Sequence, residues 1–228
     1  LRLALRLVEC GLARLRARAE AALTTTDAPM RDAVLADCIA EADRISAMLD
    51  TLMDIAEARS GTLPLHVAPV HVRRLVDDVV ELYADAAGAK GVSLSLDMEP
   101  GLVVSGDVSR LRQVIANLVD NAIKYTPAGG SVSIGVVRDG AHAVVSVRDT
   151  GSGIDPEDVP RIWERLYRGD RSRSSRGLGL GLSVVKAFVE AHGGRVEVES
   201  AREGTVFTVH LPSAATSPAA RNVNLSRL

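Results

Sequence analysis

Apolar residues recur at alternating steps of four and three along the first 22 residues, and arginines fall mostly between them. A stripe of this kind predicts a helix that buries one narrow face against another helix. Turn-forming residues interrupt the pattern at Thr24–Pro29, and Asp27 is a plausible N-cap for a second helix. The two stripes consist of Leu1, Leu5, Val8, Leu12, Leu15, Ala19 and Ala22, and then Val34, Cys38, Ala42, Ile45, Leu49, Leu52 and Ala56.

Two helices with a short connection predict an antiparallel hairpin over residues 1–60. A single hairpin leaves much of both stripes uncovered, and the simplest cover is a second copy, which gives a four-helix bundle as a dimer. At this level the segment also fits a plain dimerisation stalk.

Residues 61–70 contain Gly61, Pro64 and Pro69 and are predicted to form a linker. Helical and strand periods then mix over residues 71–212, which predicts an α+β domain with helices on one face of a mixed or antiparallel sheet. In the first helix of this domain, Leu75, Val79, Leu82 and Ala86 are expected to face inward. Residues 213–228 lack periodicity and are predicted to be a disordered tail. The predicted helices are His71–Ala89, Asp107–Tyr125 and Leu182–His192, and the predicted strands are Val92–Met98, Val103–Val104, Ser131–Val137, Ala143–Asp149, Arg195–Ser200 and Thr205–Leu211.

The composition excludes some classes of partner. The 228 residues carry 27 Lys and Arg against 29 Asp and Glu, so a net charge of −2 gives no general attraction to nucleic acid or to an anionic membrane. The apolar runs are far shorter than the roughly 18 residues of a membrane span. Cys10 and Cys38 are expected to be small buried residues in a reducing compartment. The chain begins with Leu and shows no leader pattern. We expect it to be a cytoplasmic piece of a longer protein, and the membrane anchoring of that protein is left open.

Three clusters of polar or glycine residues carry candidate chemistry. Asn117, Asn121 and Lys124 are spaced to lie on one helix face, and Tyr125 is beside them. Asp149 directly follows a predicted strand, and Gly151 and Gly153 after it allow a ligand to approach the backbone. A run of alternating glycines opens the last predicted helix and offers free N–H groups to phosphates. That run is Gly177, Gly179 and Gly181. Each cluster alone also fits an ordinary helix surface, turn or loop.

The order and spacing of the clusters resemble the ATP-binding domain of sensor histidine kinases, with its N, G1, F and G2 boxes. Residues 162–170 supply the F box, although Trp163 and Leu166 stand at its usual Phe positions. Residues 50–61 also resemble the end of that family's dimerisation hairpin, so the resemblance covers residues 30–212. It implies a helical hairpin dimerisation domain joined to an α/β sandwich of the histidine-kinase and gyrase type.

The resemblance implies ATP and Mg²⁺ as cofactors and a role for each matched residue. Asp149 would accept the adenine amine, Asn121 would ligate Mg²⁺, Lys124 would face the phosphates and Tyr125 would flank the nucleotide. Gly151 and Gly153 would border the nucleotide, and the alternating glycines would cradle the triphosphate as part of a lid. Among the arginines of that lid, Arg176 is adjacent to Gly177 and would stabilise the transferring phosphoryl group. The other lid arginines are Arg165, Arg168, Arg171 and Arg173.

Asn117 bears on the reaction type. Related ATPases and anti-sigma serine kinases carry Glu at this position, because a water or a serine hydroxyl must lose a proton before it attacks. An imidazole is already a nucleophile. The resemblance therefore implies that Asn117, Lys124 and Arg176 serve phosphoryl transfer to histidine rather than hydrolysis.

The first helix departs from the family pattern. Alignment to the acceptor box of the family puts Arg6 at the histidine, Leu7 at its acidic partner and Gly11 at the proline. A guanidinium stays protonated and offers no lone pair to phosphorus. No histidine precedes His66, and the five histidines are expected to be structural: His66, His71, His142, His192 and His210.

The predicted function is a histidine-kinase core that passes the γ-phosphoryl group of ATP to histidine and then to the receiver domain of a response regulator. Two alternatives stay open, an ATP-binding dimeric regulator without its own acceptor histidine and a simple ATPase of the same superfamily. The expected partners are a second copy and the receiver domain, with no nucleic acid and no membrane contact by this piece.

Overall fold

The computed structural model of the chain describes residues 2–24, 27–169, 179–201 and 203–213. These form two compact units, one of Leu1–Leu63 with Pro160–Ala187 and one of Pro64–Val159 with Phe188–Leu228. Among the described residues, no helix combines the length and the hydropathy that a membrane span requires.

The first unit contains the predicted helical hairpin, formed by α1 (Arg2–Thr24) and α2 (Ala28–Ser60). Asp27 precedes α2 with extended backbone angles, as an N-cap residue should, although its side chain makes no capping hydrogen bond. Gly61 ends α2 with a left-handed φ of 71°, and its N–H returns to Ala58 O. Gly11 of α1 faces α2, and a Cβ on it would lie 2.9 Å from Ile45 Cδ1, so a side chain there would displace the end of Ile45.

Two parallel seams run along α2, one residue apart. The seam against α1 is buried or half-buried and the neighbouring seam is mostly exposed. The stripe predicted from the sequence combined residues of both seams, because both seams follow steps of four and three. Its members Ala42, Leu49 and Ala56 belong to the outer seam. The inner seam is Val34, Cys38, Glu41, Ile45, Met48, Leu52 and Ile55, and the outer seam is Leu35, Ile39, Ala42, Ser46, Leu49, Met53 and Ala56.

The cysteines differ from the expectation of two buried thiols. Cys10 is exposed on α1, and only Cys38 is half-buried, with its Sγ 3.9 Å from Leu15 O. The inward places next to Cys10 are taken by Gly11 and Val8, which lie one and two residues away on the helix.

The elements after the hairpin are, in chain order, β1 (Ala68–His71), α3 (Val72–Lys90), β2 (Ser93–Met98), β3 (Val103–Gly106), α4 (Val108–Tyr125), β4 (Ser131–Asp139), β5 (His142–Asp149), α5 (Gly181–Ala191), β6 (Arg195–Ala201) and β7 (Gly204–Pro212). The second unit is built on a five-stranded sheet, which is mixed, one of the two predicted types. The spatial order is β2-β4-β5-β7-β6, with β2 parallel to β4 and the other pairs antiparallel. A separate two-stranded sheet pairs β1 with β3.

Strand β1 corrects the predicted linker, because Ala68–His71 pairs antiparallel with Val103–Gly106. The predicted tail is also shortened, since Ser213 bridges to Val104 and its N–H donates to Ala141 O at 2.7 Å. The remainder of that tail lies outside the described residues.

The core lies between one face of the sheet and the helices. Alternate residues of β4, β5 and β7 are buried, and α3 and α4 pack on this face. The inward face of α3 differs from the prediction, because Leu82 is 70% exposed and Ala86 is also exposed. The buried stripe of α3 therefore runs beside Leu82 and does not include it. Its residues are Val72, Leu75, Val76, Val79 and Ala87.

Candidate functional site

Helix α4 carries four of the candidate site residues. One face of this helix is buried in the core, through Leu111, Val114, Ile115, Leu118, Val119, Ala122 and Ile123. Asn117, Asn121 and Lys124 are half-buried at the border of that face, and Tyr125 is 37% exposed at the end of the helix. A strongly amphipathic helix therefore holds the predicted polar residues in one row, within reach of solvent.

The C-terminal end of α4 is held by groups that the sequence analysis did not single out. Lys90 Nζ donates to Ile123 O at 2.8 Å and to Lys124 O at 2.6 Å. Thr126 is fully buried, and its Oγ1 donates to Ala122 O at 2.7 Å. An ammonium at helix carbonyls is favourable, because it satisfies unpaired acceptors at the negative end of the helix dipole. Lys90 thus fixes the backbone of Lys124.

Asp149 ends β5 with its carboxylate almost buried, at 7% exposure. Burial raises the pKa of Asp149, and the N–H groups of Gly151 and Thr205 partly offset this rise by donating to the carboxylate. The Gly151 N–H lies 2.8 Å from Asp149 Oδ1. The site therefore holds an acidic acceptor in a place with little access for water.

Gly151 brings the end of α4 and Asp149 together. A Cβ at this position would lie 2.6 Å from Tyr125 O and 2.7 Å from Asp149 Oδ1. Any side chain would push one of these groups away. Three of the predicted site residues, Tyr125, Asp149 and Gly151, therefore meet at one point of the second unit.

Gly153 has a structural reason for being glycine. Its φ is +67°, and a Cβ there would overlap Ala201 O of β6. The next residue, Ile154, donates its N–H to Ser200 Oγ at 2.7 Å. Gly153 therefore allows the loop after Asp149 to lie against the β6–β7 hairpin.

That hairpin also supplies support that the sequence analysis missed. A Cβ on Gly204 would overlap Asp149 O, and Gly204 has a φ of +138°. Thr205 is buried beside it and pairs with Asp149 across the strands. The only local signal was Gly204 itself, directly before the predicted strand Thr205–Leu211, because a glycine at a strand ordinarily marks a close backbone approach.

The F-box segment and the glycine run meet within the first unit. Leu166 adopts a φ of 62°, the only positive φ among non-glycine residues that the structure describes, and its N–H donates to Gly179 O at 2.9 Å. A Cβ on Gly179 would lie 2.7 Å from Tyr167 O. Gly181 is the first residue of α5. Gly177 and Arg176 lie outside the described residues, as do Arg171 and Arg173.

Of the arginines that the structure describes in this segment, Arg161 is exposed and the other two are only partly exposed. The Arg161 guanidinium lies 4.2 Å from the centre of the Tyr167 ring, a cation–π contact. Arg165 and Arg168 are half-buried. Burial lowers the pKa of Arg165, and nearby Arg59 at the end of α2 lowers it further.

The described residues suit a nucleotide better than a metal held by protein alone. Asp149 is a buried acceptor, and Gly151 lets the end of α4 pack closely beside it. No group of three or more His, Cys, Asp or Glu residues that would hold a metal occurs in the part of the chain that the structure describes. Mg²⁺ carried by a triphosphate needs no such group, since one amide oxygen, phosphates and waters complete its shell.

Comparisons with known proteins find proteins that are similar to this chain. A family model for histidine kinase-, DNA gyrase B- and HSP90-like ATPases matches residues 106–215. Sensor protein kinase PmrB of Pseudomonas aeruginosa is 35% identical over 225 residues, which are 96% of this chain and 47% of PmrB. Sensor-like histidine kinase SenX3 of Mycobacterium tuberculosis is 37% identical over 76% of this chain and 43% of its own length. The chain spans about half the length of the curated relatives it matches.

Solved structures give the same result. The mycobacterial sensor histidine kinase MprB has a TM-score of 0.59 and 31% identity, covering 64% of this chain and 97% of the MprB chain. Full-length ShkA in complex with AMPPNP has a TM-score of 0.72 and 29% identity, covering 93% of this chain and 46% of ShkA. The second likeness extends over both the hairpin and the α+β unit.

Proposed function

We propose, since the chain belongs to the sensor histidine kinase family, that it binds ATP with Mg²⁺ and transfers the γ-phosphoryl group to a histidine. The observation that carries this proposal is the buried carboxylate of Asp149 beside Gly151 and the end of α4. A buried acceptor next to a closely packed glycine and a row of amides suits a purine nucleotide with its phosphates directed along the helix.

Each residue of the site then has a task. Asp149 accepts the adenine amine, and Gly151 and Gly153 keep the adjoining backbone free of side chains. Asn121 holds Mg²⁺ through its amide oxygen, while Lys124 and Tyr125 line the phosphate side and the flank of the nucleotide. The bound Mg²⁺ neutralises charge on the phosphates.

The glycine run and its arginine complete the proposed site. Gly177, Gly179 and Gly181 present backbone N–H groups to the phosphates at the start of α5. Arg176 stabilises charge on the phosphoryl group during transfer. Asn117 supplies no base, which suits an imidazole nucleophile: a nitrogen–phosphorus bond forms, the bond to the leaving ADP oxygen breaks, and the ring proton passes to solvent.

We propose that the acceptor histidine lies on another chain, because the family alignment puts Arg6 at the acceptor position of this hairpin. The first 65 residues contain no histidine, so the hairpin offers no imidazole for phosphorylation. We propose that this chain acts in trans, on the histidine of a partner hairpin, from which the phosphoryl group passes to the aspartate of a response-regulator receiver domain.

The hairpin is proposed to dimerise with a second copy or with such a partner hairpin. The outer seam of α2 exposes large apolar side chains, Ile39 at 63% and Met53 at 62% among them. Contiguous apolar surface of this kind marks an interaction site, and its heptad spacing suits another helix pair.

A second candidate function is an ATP-sensing dimeric regulator that transfers nothing, and the missing acceptor histidine favours it. Radiolabelled ATP with Mg²⁺ distinguishes the two when the chain is incubated alone and with a histidine-bearing hairpin of the same family. Acid-labile, base-stable label on the added hairpin supports the kinase. ATP binding without label supports the regulator, and release of free phosphate without any phosphoprotein supports an ATPase.

Label on this chain itself contradicts transfer in trans as the only route. The Asp149→Asn variant serves as the control for nucleotide dependence, since it keeps the size of the side chain and removes its charge.

A further inference from the structure

His192 joins the end of α5 to the start of α4. The Asp107 N–H donates to His192 Nε2 at 3.0 Å, and His192 Nδ1 lies 2.7 Å from Phe188 O. A backbone N–H has only a proton to offer, so Nε2 must be the acceptor. The proton of the neutral ring is then on Nδ1, which donates to Phe188 O. The ring thus has both nitrogens engaged, each by a different helix end.

Asp107 extends this connection to the segment that enters the second unit. Its Oδ1 accepts from the N–H groups of Ser109 and Arg110, and its Oδ2 accepts from the N–H of His66 at 2.9 Å. Burial by itself would raise the pKa of Asp107, but these three donors and the charge of Arg110 hold it below the ordinary value. His66 lies in the segment of residues 62–67 that connects α2 to β1.

The contact between His192 and Asp107 requires Gly106. A Cβ on Gly106 would lie 2.8 Å from His192 Cδ2 and 3.2 Å from its Nε2. The backbone of residues 106–107 therefore approaches the imidazole as closely as a glycine allows. The close approach of the backbone and its hydrogen bond both involve His192, and the nucleotide site explains neither of them.

We propose that His192 is a positioning residue that, with Asp107, ties the connecting segment, α4 and α5 into one joint. The proposal rests on the proposed function, because α4 and α5 are the two helices on which nucleotide-binding residues are placed. Asn117, Asn121 and Lys124 lie farther along α4, and α5 begins at Gly181. On each helix, the joint lies at the end away from these residues. It also contacts the segment of residues 62–67, which follows the hairpin in sequence.

The joint gives the connecting segment a route to the nucleotide site. A displacement of the connecting segment pulls on Asp107 through the His66 N–H, and Asp107 is bonded both to the first turn of α4 and to His192. Movement of either helix changes where its site residues lie. Loss of the joint therefore loosens both helices together, without removing any group that contacts nucleotide.

The test compares His192→Met with His192→Gln in the full chain. Gln places an oxygen acceptor at a reach similar to that of Nε2, whereas Met has the same length and no such acceptor. ATP affinity is measured by calorimetry well below the unfolding transition, and amide hydrogen exchange is measured across residues 108–125. We expect His192→Met to weaken ATP binding about five- to tenfold and to speed exchange in α4, and His192→Gln to stay within about twofold of the wild type.

A lower melting temperature for His192→Met with unchanged affinity and exchange overturns the proposal, because a purely structural contact would give that result. Failure of His192→Gln to restore affinity also overturns it. If the wild-type chain binds no ATP, the proposed function fails, and the exchange rates alone then decide whether the joint exists.

The arm of the joint that reaches the connecting segment has its own test. His66→Pro removes the N–H that bonds Asp107, and His66→Ala retains it. We expect His66→Pro to speed exchange at the start of α4 and to weaken ATP binding, and His66→Ala to do neither. Equal behaviour of the two variants overturns the connection between the connecting segment and the site.

Discussion

Asp149 is a carboxylate whose surroundings oppose its charge. Because burial raises its pKa above the ordinary value of 3.8, the folded chain binds a proton more tightly than the unfolded chain. The stability from this difference is fully present below pH 3.8 and is lost as the pH rises through the raised pKa of the folded state. At neutral pH the ionised form therefore costs stability, which is a common property of binding-site groups.

Replacing Asp149 with Asn separates stability from binding. The amide oxygen can still accept from Gly151, and the buried charge is gone, so we expect an equal or higher melting temperature at pH 7. ATP affinity should fall about 5- to 150-fold, through the loss of about 1–3 kcal/mol of a charge-assisted hydrogen bond. Thermal unfolding and calorimetry measure the two effects, and exposed Asp85→Asn is the control. A clear drop in melting temperature at pH 7 would contradict this account.

Gly151→Ala tests the contact between α4 and Asp149. The added methyl group must displace Tyr125 O or the Asp149 carboxylate, and crowding of this kind costs about 1–3 kcal/mol of folding free energy. ATP affinity should fall as well, because both displaced groups belong to the proposed site. Gly88→Ala is the matched control, since a Cβ at this position on α3 would meet nothing within 4 Å. That variant should gain about 0.5–1 kcal/mol, and a loss of equal size in both variants would refute the steric argument.

Among the elements, α4 depends on α3 for the geometry of its last turn. Lys90 ends α3, and its ammonium bonds two carbonyl oxygens at the C-terminus of α4. The bonds join residues 33 and 34 positions apart, so helix periodicity alone contains no sign of them.

Lys90→Met keeps the length of the side chain and removes both hydrogen bonds. We expect it to lower the free energy of unfolding by about 1–3 kcal/mol, the typical cost of removing a charged partner from such acceptors, and to weaken ATP binding. Chemical denaturation and a nucleotide-binding assay measure these effects. Arg74→Met, an exposed position on the same helix, should change neither by more than about 0.5 kcal/mol.

The elements that sequence periodicity predicted well are those with many local contacts. The strands predicted over Ser131–Val137 and Ala143–Asp149 are β4 and β5, which form a hairpin across Asp139-Gly140, a dipeptide typical of tight turns, with the pairing Asp139↔His142. Strand β1 escaped prediction because Ala68–His71 is short, contains Pro69 and pairs only with the distant β3. Leu82 was misplaced because 3.6-residue periodicity allows two neighbouring stripes on α3, and only tertiary packing selects one.

At the scale of the whole molecule, variants in the outer seam of α2 test whether two hairpins associate. Ile39→Glu places a charge in the middle of that seam, and Ala40→Glu places the same charge beside it. If two copies pair there, each loses about 1.5–3 kcal/mol of apolar burial, so the dimer dissociation constant should rise at least about a hundredfold for Ile39→Glu. Sedimentation velocity measures this change, and equal behaviour of both variants would exclude the seam as the interface.

The candidate site as a whole was predicted in part. The polar row on α4 and the Asp149–Gly151 pair follow from local spacing, and the structure brings Tyr125, Asp149 and Gly151 together. Lys90, Gly204 and Thr205 were missed because they support the site from other elements, across long sequence separations. Gly153 is predicted to border the nucleotide, yet the contact it makes in the fold is with the backbone of β6.

The two adjacent seams of α2 restrict how this chain tolerates changes in length. Because the seams differ by one position in register, deleting a single residue near the middle of α2 would align the inward row of one half with the outward row of the other. Deleting seven residues would preserve both rows. Variants that change the length of α2 should therefore keep a folded hairpin only when the change is a multiple of seven residues.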